Sequence, residues 1–423
     1  MPESAYGPTN NCVGIGNVLR QRGHRVVFAA EASWRGKLEP LGFTEDLVDL
    51  APPPPAPQPG EPEPDAGQFW KDFVGDTAPE FRKTTIDQLE TFVRPVFEEL
   101  VGGARYCEPQ LREIIARNQP DVIVQDNVVA FPALQTGGAP YVRIVSCNPL
   151  EVKGSGVPPT FSGLPAADQS GWADFRAEYD RTHRELWREF DAFVQEQGAP
   201  GLPDLEFMPV SDRLNLYVYP EELDYLAERP LDSTWHRLES SVRGTDAAFD
   251  LPDQIADDGR PLVYFSLGSL GSADLELMQR TLAALAAEPY RFIVSMGPRH
   301  DELELADNQW GAEFVPQTSV LSLVDLVITH GGNNTTTEAM HFGKPMIVMP
   351  IFWDQHDNAQ RVHETGYGVR LDTYRYTDAQ LHDALSRLLN DPALATRSAE
   401  AGVRIRASNG VTRAADALDG VGY

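Results

Sequence analysis

Thr329-His330-Gly331-Gly332-Asn333-Asn334-Thr335-Thr336-Thr337-Glu338, followed by Asp354-Gln355, is the stretch that decides the fold. Val324 to Thr329 reads as a buried strand. Gly331-Gly332 allows a tight backbone turn, and Thr335 to Met340 starts a helix. The free N–H groups and the dipole of such a helix start favour an anion such as a diphosphate. His330, at the carboxyl end of the strand, is placed to donate to a phosphate oxygen. Thr335 and Thr336 offer hydroxyls, and Glu338, one turn into the helix, is an acceptor suited to a ribose diol. Taken alone, the same residues are equally a capped helix with a surface histidine.

Three neighbouring segments tilt that balance. Leu267-Gly268-Ser269 follows the apolar run Leu262 to Ser266. Phe314-Val315-Pro316-Gln317 offers backbone groups and the Gln317 amide to the edge of a base. Asp354-Gln355 follows the strand Pro345 to Pro350 and suits sugar hydroxyls. In a parallel α/β sheet all these strand ends converge on one crevice. The chain has no Asp-x-Asp, so no metal is expected, and the helix dipole with its donors takes the charge of a leaving diphosphate. Gly14-Ile15-Gly16 is a decoy: it sits inside a helical stretch and lacks the third glycine of a dinucleotide fingerprint.

The same βα rhythm runs through the whole chain and predicts an α/β fold. A helix from about Val13 to Arg22 precedes a strand at His24 to Ala29. Asp121 to Gln125, Tyr141 to Val145 and Leu214 to Tyr219 read as further strands. After a polar, acidic linker, residues 247–260, the alternation resumes with Leu262 to Ser266, Phe292 to Ser295, Asp325 to Thr329 and Pro345 to Pro350. Near-continuous apolar strands fit sheets covered on both faces. The organisation expected is a first domain at 1–246, a second at 261–404 and a tail at 405–423, helical from Pro392 and broken at Asn409-Gly410. The Pro-rich stretch Ala51 to Pro64 is loop. Trp172 to Gln197 carries seven aromatic and aliphatic residues at helical spacing, which serve either core packing or the wall of an apolar ligand cleft.

Composition narrows the class. A chain of 423 residues exceeds one ordinary core. Its net charge of −28 argues against nucleic acid and anionic membranes as partners. No apolar run reaches the roughly 18 residues of a membrane span, and the N-terminus lacks the pattern of a signal peptide. A cytoplasmic protein is expected. Cys12, Cys107 and Cys147 are scattered and read as reduced thiols.

The ordered set Ser266-Leu267-Gly268-Ser269, Val315-Pro316-Gln317, His330 to Thr335, Glu338 and Asp354-Gln355 resembles the family 1 nucleotide-sugar glycosyltransferases of GT-B fold, which include bacterial macrolide and natural-product enzymes. The N-terminal half is similar more loosely, through Tyr6-Gly7-Pro8-Thr9-Asn10, Arg22-Gly23-His24-Arg25-Val26 and Pro120 to Asp126. The resemblance implies two Rossmann-like, doubly wound parallel-sheet domains facing a cleft, the first for the acceptor and the second for the donor. It implies inverting transfer of a hexose from a UDP- or dTDP-sugar to a small apolar or aromatic acceptor, with no cofactor. His330, Ser269, Asn334 and Thr335 would bind the diphosphate, with Gly268 and Gly332 in the turns beside them. Gln317 and the backbone at Val315 would sit by the uracil or thymine, Glu338 by the ribose, and Asp354 with Gln355 by the sugar. The tail would cross back to the first domain.

The chain departs from that family in two places. Its first loop, Gly7-Pro8-Thr9-Asn10, carries Pro8 where a catalytic histidine is expected. Asp126 matches the aspartate that orients the histidine, and equally suits a loop carboxylate capping a helix. General-base assistance worth about 10²–10⁴-fold is then in question. His183 is the least implausible replacement, and a phenol or an amine, which gives up its proton readily, is the expected acceptor. The alternative is a catalytically weak homologue that acts as a binding protein. The second departure is the short lead: only six residues precede Gly7, so either the start lies upstream, which is the favoured expectation, or the sheet lacks a central strand.

Overall fold

Short runs of buried apolar residues build every major strand. The computed structural model describes residues 1–2, 6–52, 77–243 and 247–421; most of the Pro-rich stretch at 51–64 lies outside them. The first half contains β1 (Val27–Phe28), β2 (Thr44–Glu45), β3 (Ile123–Asp126), β4 (Tyr141–Val145), β5 (Leu214–Tyr217) and β6 (Trp235–Arg237). The second contains β7 (Leu262–Ser266), β8 (Arg291–Ser295), β9 (Gln309–Ala312), β10 (Leu326–Thr329), β11 (Met346–Val348) and β12 (Gly368–Arg370). All pairings between these strands are parallel. The connections are therefore crossovers, which lay helices on the faces and bury β7, β10 and β11 completely.

The second sheet runs β12-β11-β10-β7-β8-β9. The chain moves outward from β7 in one direction and returns to β10 on the other side. The order therefore reverses between β7 and β10, and a crevice forms at their carboxyl ends. Gly268 and His330 stand there, two residues beyond β7 and one beyond β10. Four strands escape the sequence pattern: β2, β6, β9 and β12. β6, β9 and β12 are edge strands of their sheets. All four are two to four residues long and carry polar residues or glycine, which edges tolerate.

The first half is built in two pieces. β3-β4-β5-β6 form one sheet and β1-β2 a separate pair. On the edge of β3 away from β4, Met1 and Pro2 are in register among the described residues: the Met1 amino group donates to the Val124 carbonyl at 2.6 Å, and the Asp126 N–H to the Met1 carbonyl at 3.0 Å. Among the described residues no strand joins β1 to β3.

The first helix corrects the sequence reading. It spans Tyr6–Gln21, so Gly7, Pro8, Thr9 and Asn10 form its opening turns and not a loop. Proline is compatible with that position, because the first N–H groups of a helix have no partner within it and the ring fixes a helical φ. The helix buries Val13 and Ile15.

The tail crosses between the halves. Helix Pro392–Ser408 buries Ala401 and Ile405 in one cluster with Met340 and Met346. Asn409 then adopts a left-handed conformation, φ 49°, and turns the chain. Helix Gly410–Val421 packs Ala414 and Leu418 against Ile15, Ile144 and Leu216 of the first half. A side chain on Gly410 would collide with the Leu238 and Ser240 carbonyl oxygens, which are backbone and cannot move aside cheaply. Gly410→Ala is therefore expected to cost about 1–3 kcal/mol, the usual price of overpacking. Urea unfolding followed by circular dichroism reads it; an unchanged midpoint would refute this account of the tail.

A candidate active site between the halves

His330 is gripped by glycines. A Cβ on Gly332 would lie 2.6 Å from its Nε2, and one on Gly268 would lie 3.0 Å from both Cε1 and Nε2. Gly268 has φ 70° and Gly331 φ 86°, and a side chain on Gly331 would meet Val348 Cγ1 at 2.6 Å. Gly268 and Gly331 exclude side chains on both steric and conformational grounds, and Gly332 on steric grounds alone. Burial pushes the His330 imidazole down to about 4, partly opposed by a hydrogen bond with the Ser266 backbone. It is neutral at pH 7 and carries a single N–H, so donating to a ligand means giving up the hydrogen bond to the Ser266 backbone. Helix Asn333–His341 starts just beyond it, with Gly332 at its N-cap and Asn334 and Thr335 in its first turn. Ser269 is exposed on the turn Gly268–Gly271.

Glu338, 2% exposed, lies at the centre of a polar cluster. Its Oε1 accepts from Asn334 Nδ2 at 3.0 Å and from Arg243 Nη1 at 3.1 Å. Its Oε2 accepts from Gln317 Nε2 at 2.6 Å. Gln317 also reaches Thr335 Oγ1 at 3.3 Å and accepts from the Tyr264 hydroxyl at 3.3 Å. Val315 is buried two residues earlier. The structure thus brings Gln317, Asn334, Thr335 and Glu338 together. Arg243 has no signal in the sequence, being one arginine ahead of a linker.

Asp354 and Gln355 open helix Gln355–Glu364. Gln355 Oε1 accepts from the Ile351 N–H at 3.0 Å and the Phe352 N–H at 3.3 Å. Asp354 Oδ2 reaches across the cleft to the Asn148 N–H at 2.8 Å. One turn on, Asp357 accepts from the Phe161 N–H at 2.6 Å and the Gly163 N–H at 2.8 Å. Asn358 Oδ1 takes the Asn148 amide at 2.8 Å, and Asn333 Nδ2 donates to the Ser146 carbonyl at 2.9 Å. Burial raises Asp354 to about 7 and Asp357 to about 8, against the hydrogen bonds that favour their ionised forms.

On the first-half side, Asp126 accepts from Ser146 Oγ at 2.6 Å and lies 3.7 Å from Cys12 Sγ. Asn11 Nδ2 donates to the same serine at 2.8 Å. Burial raises Asp126 to about 8, so it is protonated at neutral pH. No histidine hydrogen-bonds to it among the described residues. The first turn reaches the donor side directly: a Cβ on Gly7 would lie 3.5 Å from Asn334 Cβ, and Thr9 is fully buried. Among the described residues no group of three or more His, Cys, Asp or Glu is placed to hold a metal ion.

Next to this lies an aromatic cavity walled by Phe97, Phe161, Tyr179, Phe207 and Trp353, with Lys153 in its lining. Phe161 and Trp353 face each other from opposite halves with ring centroids 4.5 Å apart. Of the six non-glycine residues with positive φ among the described residues, three line this cavity: Phe161 (69°), Leu205 (57°) and Trp353 (58°). Such strain clusters at ligand sites and costs about 1–3 kcal/mol per residue. Lys153 donates to the Leu205 carbonyl, sits 4.1 Å above the Tyr179 ring, and is pushed down to about 8 by burial. Arg143 and Glu151 pair at 2.6 Å in the same wall. His183, the replacement base expected from sequence, is instead a core residue. Its ring stacks on Tyr179 at 4.2 Å, Nδ1 contacts Thr182 Oγ1 at 2.7 Å, and burial lowers it to about 3.

Residues 251–397 match the family described as UDP-glucoronosyl and UDP-glucosyl transferase. The NDP-glycosyltransferase YjiC of Bacillus licheniformis is 31% identical over 320 residues, covering 74% of this chain and 74% of that protein. Demethyllactenocin mycarosyltransferase of Streptomyces fradiae is 25% identical over 422 residues, covering 99% of this chain and 84% of that one. Among solved structures, the glycotransferase of kitacinnamycin superposes with a TM-score of 0.68 at 24% identity, covering 97% of this chain and 95% of the other.

The raised Asp354 carboxyl makes a stability prediction. Its folded pKa, about 7, lies above its ordinary value of 3.8. Between these values the folded state holds the proton more tightly than the unfolded one. The stabilisation is full below pH 3.8 and is lost as pH rises through 7. Asp354→Asn keeps an acceptor for the Asn148 N–H without titrating. The unfolding free energy of the wild type should therefore fall relative to the variant between pH 5 and pH 8. Parallel pH profiles in urea melts would exclude it.

Proposed function

The chain belongs to family 1 of the nucleotide-sugar glycosyltransferases, the bacterial natural-product type, and from that premise we propose that it transfers a hexose, with inversion, to an aromatic polyketide-like acceptor seated against Trp353. The observation that carries this reading is the place of Trp353. It directly precedes Asp354-Gln355, and its ring walls the aromatic cavity. That cavity is only about 30 Å³ as it stands, so a flat acceptor enters it only as Phe161 and Trp353 part, and there it neighbours a sugar held by that polar pair.

The chemistry follows from the groups present. The diphosphate of a UDP- or dTDP-sugar lies over the start of helix Asn333–His341, where free N–H groups and the neutral His330 donate to it. Glu338 and Gln317 take the nucleoside, Asp354 and Gln355 the sugar hydroxyls. The acceptor oxygen attacks the anomeric carbon from the face opposite the diphosphate. The new carbon–oxygen bond forms as the bond to the diphosphate oxygen breaks, and the diphosphate leaves with the electron pair. With proline at position 8, deprotonation rests on the acceptor's own acidity. A phenol, near about 10 by the tyrosine reference, meets that need, and the Lys153 ammonium in the cavity favours its phenolate.

The test pairs phenolic and aliphatic acceptors with UDP-glucose and dTDP-glucose, following glycoside by mass and nucleotide release. Phenol-dependent release is expected, and Trp353→Ala should lower kcat/KM about 10²-fold through misplacement of the acceptor. Turnover confined to aliphatic alcohols would sink the phenolic reading. Nucleotide binding without any acceptor-dependent release would favour a binding protein.

A further inference from the structure

Arg243 occupies the donor site from outside the donor half. It lies in the segment joining the halves and is 8% exposed. That segment is anchored at both sides: Ser240 Oγ contacts His341 Nδ1 at 2.9 Å, and Ser241 Oγ donates to the Asn11 carbonyl at 3.1 Å. Arg243 thus follows directly on backbone held to both halves. Its Nη1 and the Asn334 amide both donate to one oxygen of Glu338, while Gln317 donates to the other.

The two carboxylate oxygens have about four lone-pair positions in all. A ribose diol engages a carboxylate through both oxygens, one hydroxyl to each. A 2′-deoxyribose brings only its 3′-hydroxyl. With Oε1 already bonded to Arg243 and Asn334, a second hydroxyl finds a place there only if one of them leaves, and an Asn334 that turns to the diphosphate still leaves the Arg243 cation on the same oxygen. Leaving would strip a buried guanidinium from its buried carboxylate, which is costly. Resting on the donor-site reading above, we propose that Arg243 is a specificity-determining residue. By holding Oε1 of Glu338 it cancels the advantage of a 2′-hydroxyl, so the site accepts 2′-deoxyribonucleoside diphosphates, and hence dTDP-sugars, at least as well as ribonucleoside diphosphates.

UDP and dUDP differ only in that hydroxyl and are the probes. Calorimetric titration of the full chain should give wild-type Kd values for the two within about threefold, well short of the contribution of one charge-assisted hydrogen bond. In Arg243→Leu, UDP should tighten about tenfold relative to dUDP, the yield of one such bond restored. Arg243→Lys, which keeps the cation, should stay near the wild-type ratio. A wild type that prefers UDP tenfold or more overturns the proposal, whether or not the leucine variant folds. So does a leucine variant, folded by circular dichroism, in which both nucleotides shift together. If neither nucleotide binds the wild type, the donor-site reading itself falls and takes the proposal with it.

Discussion

A loop amide with no ladder partner needs an acceptor, and a buried carboxylate needs donors; the closure of this protein rests on matching the two. Phe161 and Gly163 present their N–H groups to Asp357, and Asn148 presents its own to Asp354. Each group would be costly to bury alone. Together they clamp the loop after β4 onto the helix after β11. That clamp holds Phe161 in a left-handed conformation opposite Trp353, which is strained in the same way. The aromatic cavity therefore exists only in the closed arrangement, since one wall comes from each half. Phe81 and Phe92, packed on Phe352 at 5.1 and 5.2 Å, extend the same seam with apolar contact.

The donor side works by exclusion. The His330 ring fills the space that side chains at Gly268 and Gly332 would need, and burial keeps it neutral. On the reading that His330 meets a diphosphate, a neutral donor would bind it less tightly than a cation would, but its charge would not change across the physiological range. The anion's charge is left to the helix start, which is not titratable.

Much of this was legible in the sequence, because it depends on local pattern. Continuous apolar runs marked β4 and β7 to the residue, and Asn409-Gly410 marked the break between the last two helices. The expectation that Gly268, Gln317, His330 and Asp354 lie near one crevice followed from the convergence of strand ends in a parallel sheet, not from a strand order. What stayed hidden depends on contacts distant in the chain. Asp357, Asn148 and Arg243 look like ordinary surface residues until folding brings amides or a carboxylate to them. The first helix begins earlier than expected because the loop at Gly7 to Asn10 rested on the family resemblance, whereas proline is equally at home in a first helical turn. His183 was raised as a base because a histidine's environment is invisible in sequence; its ring is stacked in the core.

The two places where the chain passes between the halves lie side by side. Gly410 sits in contact with the carbonyls of Leu238 and Ser240, just ahead of the joining segment that carries Arg243. Two strands of covalent chain crossing at one point behave as the spine of a book. Were the covers to part by rotation about that line, Arg243 and Glu338, joined to each other beside it, would travel less than the Phe161 and Trp353 rings. The Phe161 and Trp353 pages are held to it by no covalent chain. On the reading proposed above, such an opening would admit an acceptor while leaving the Arg243–Glu338 cluster nearly undisturbed, so the two substrates would be exchanged on separate schedules.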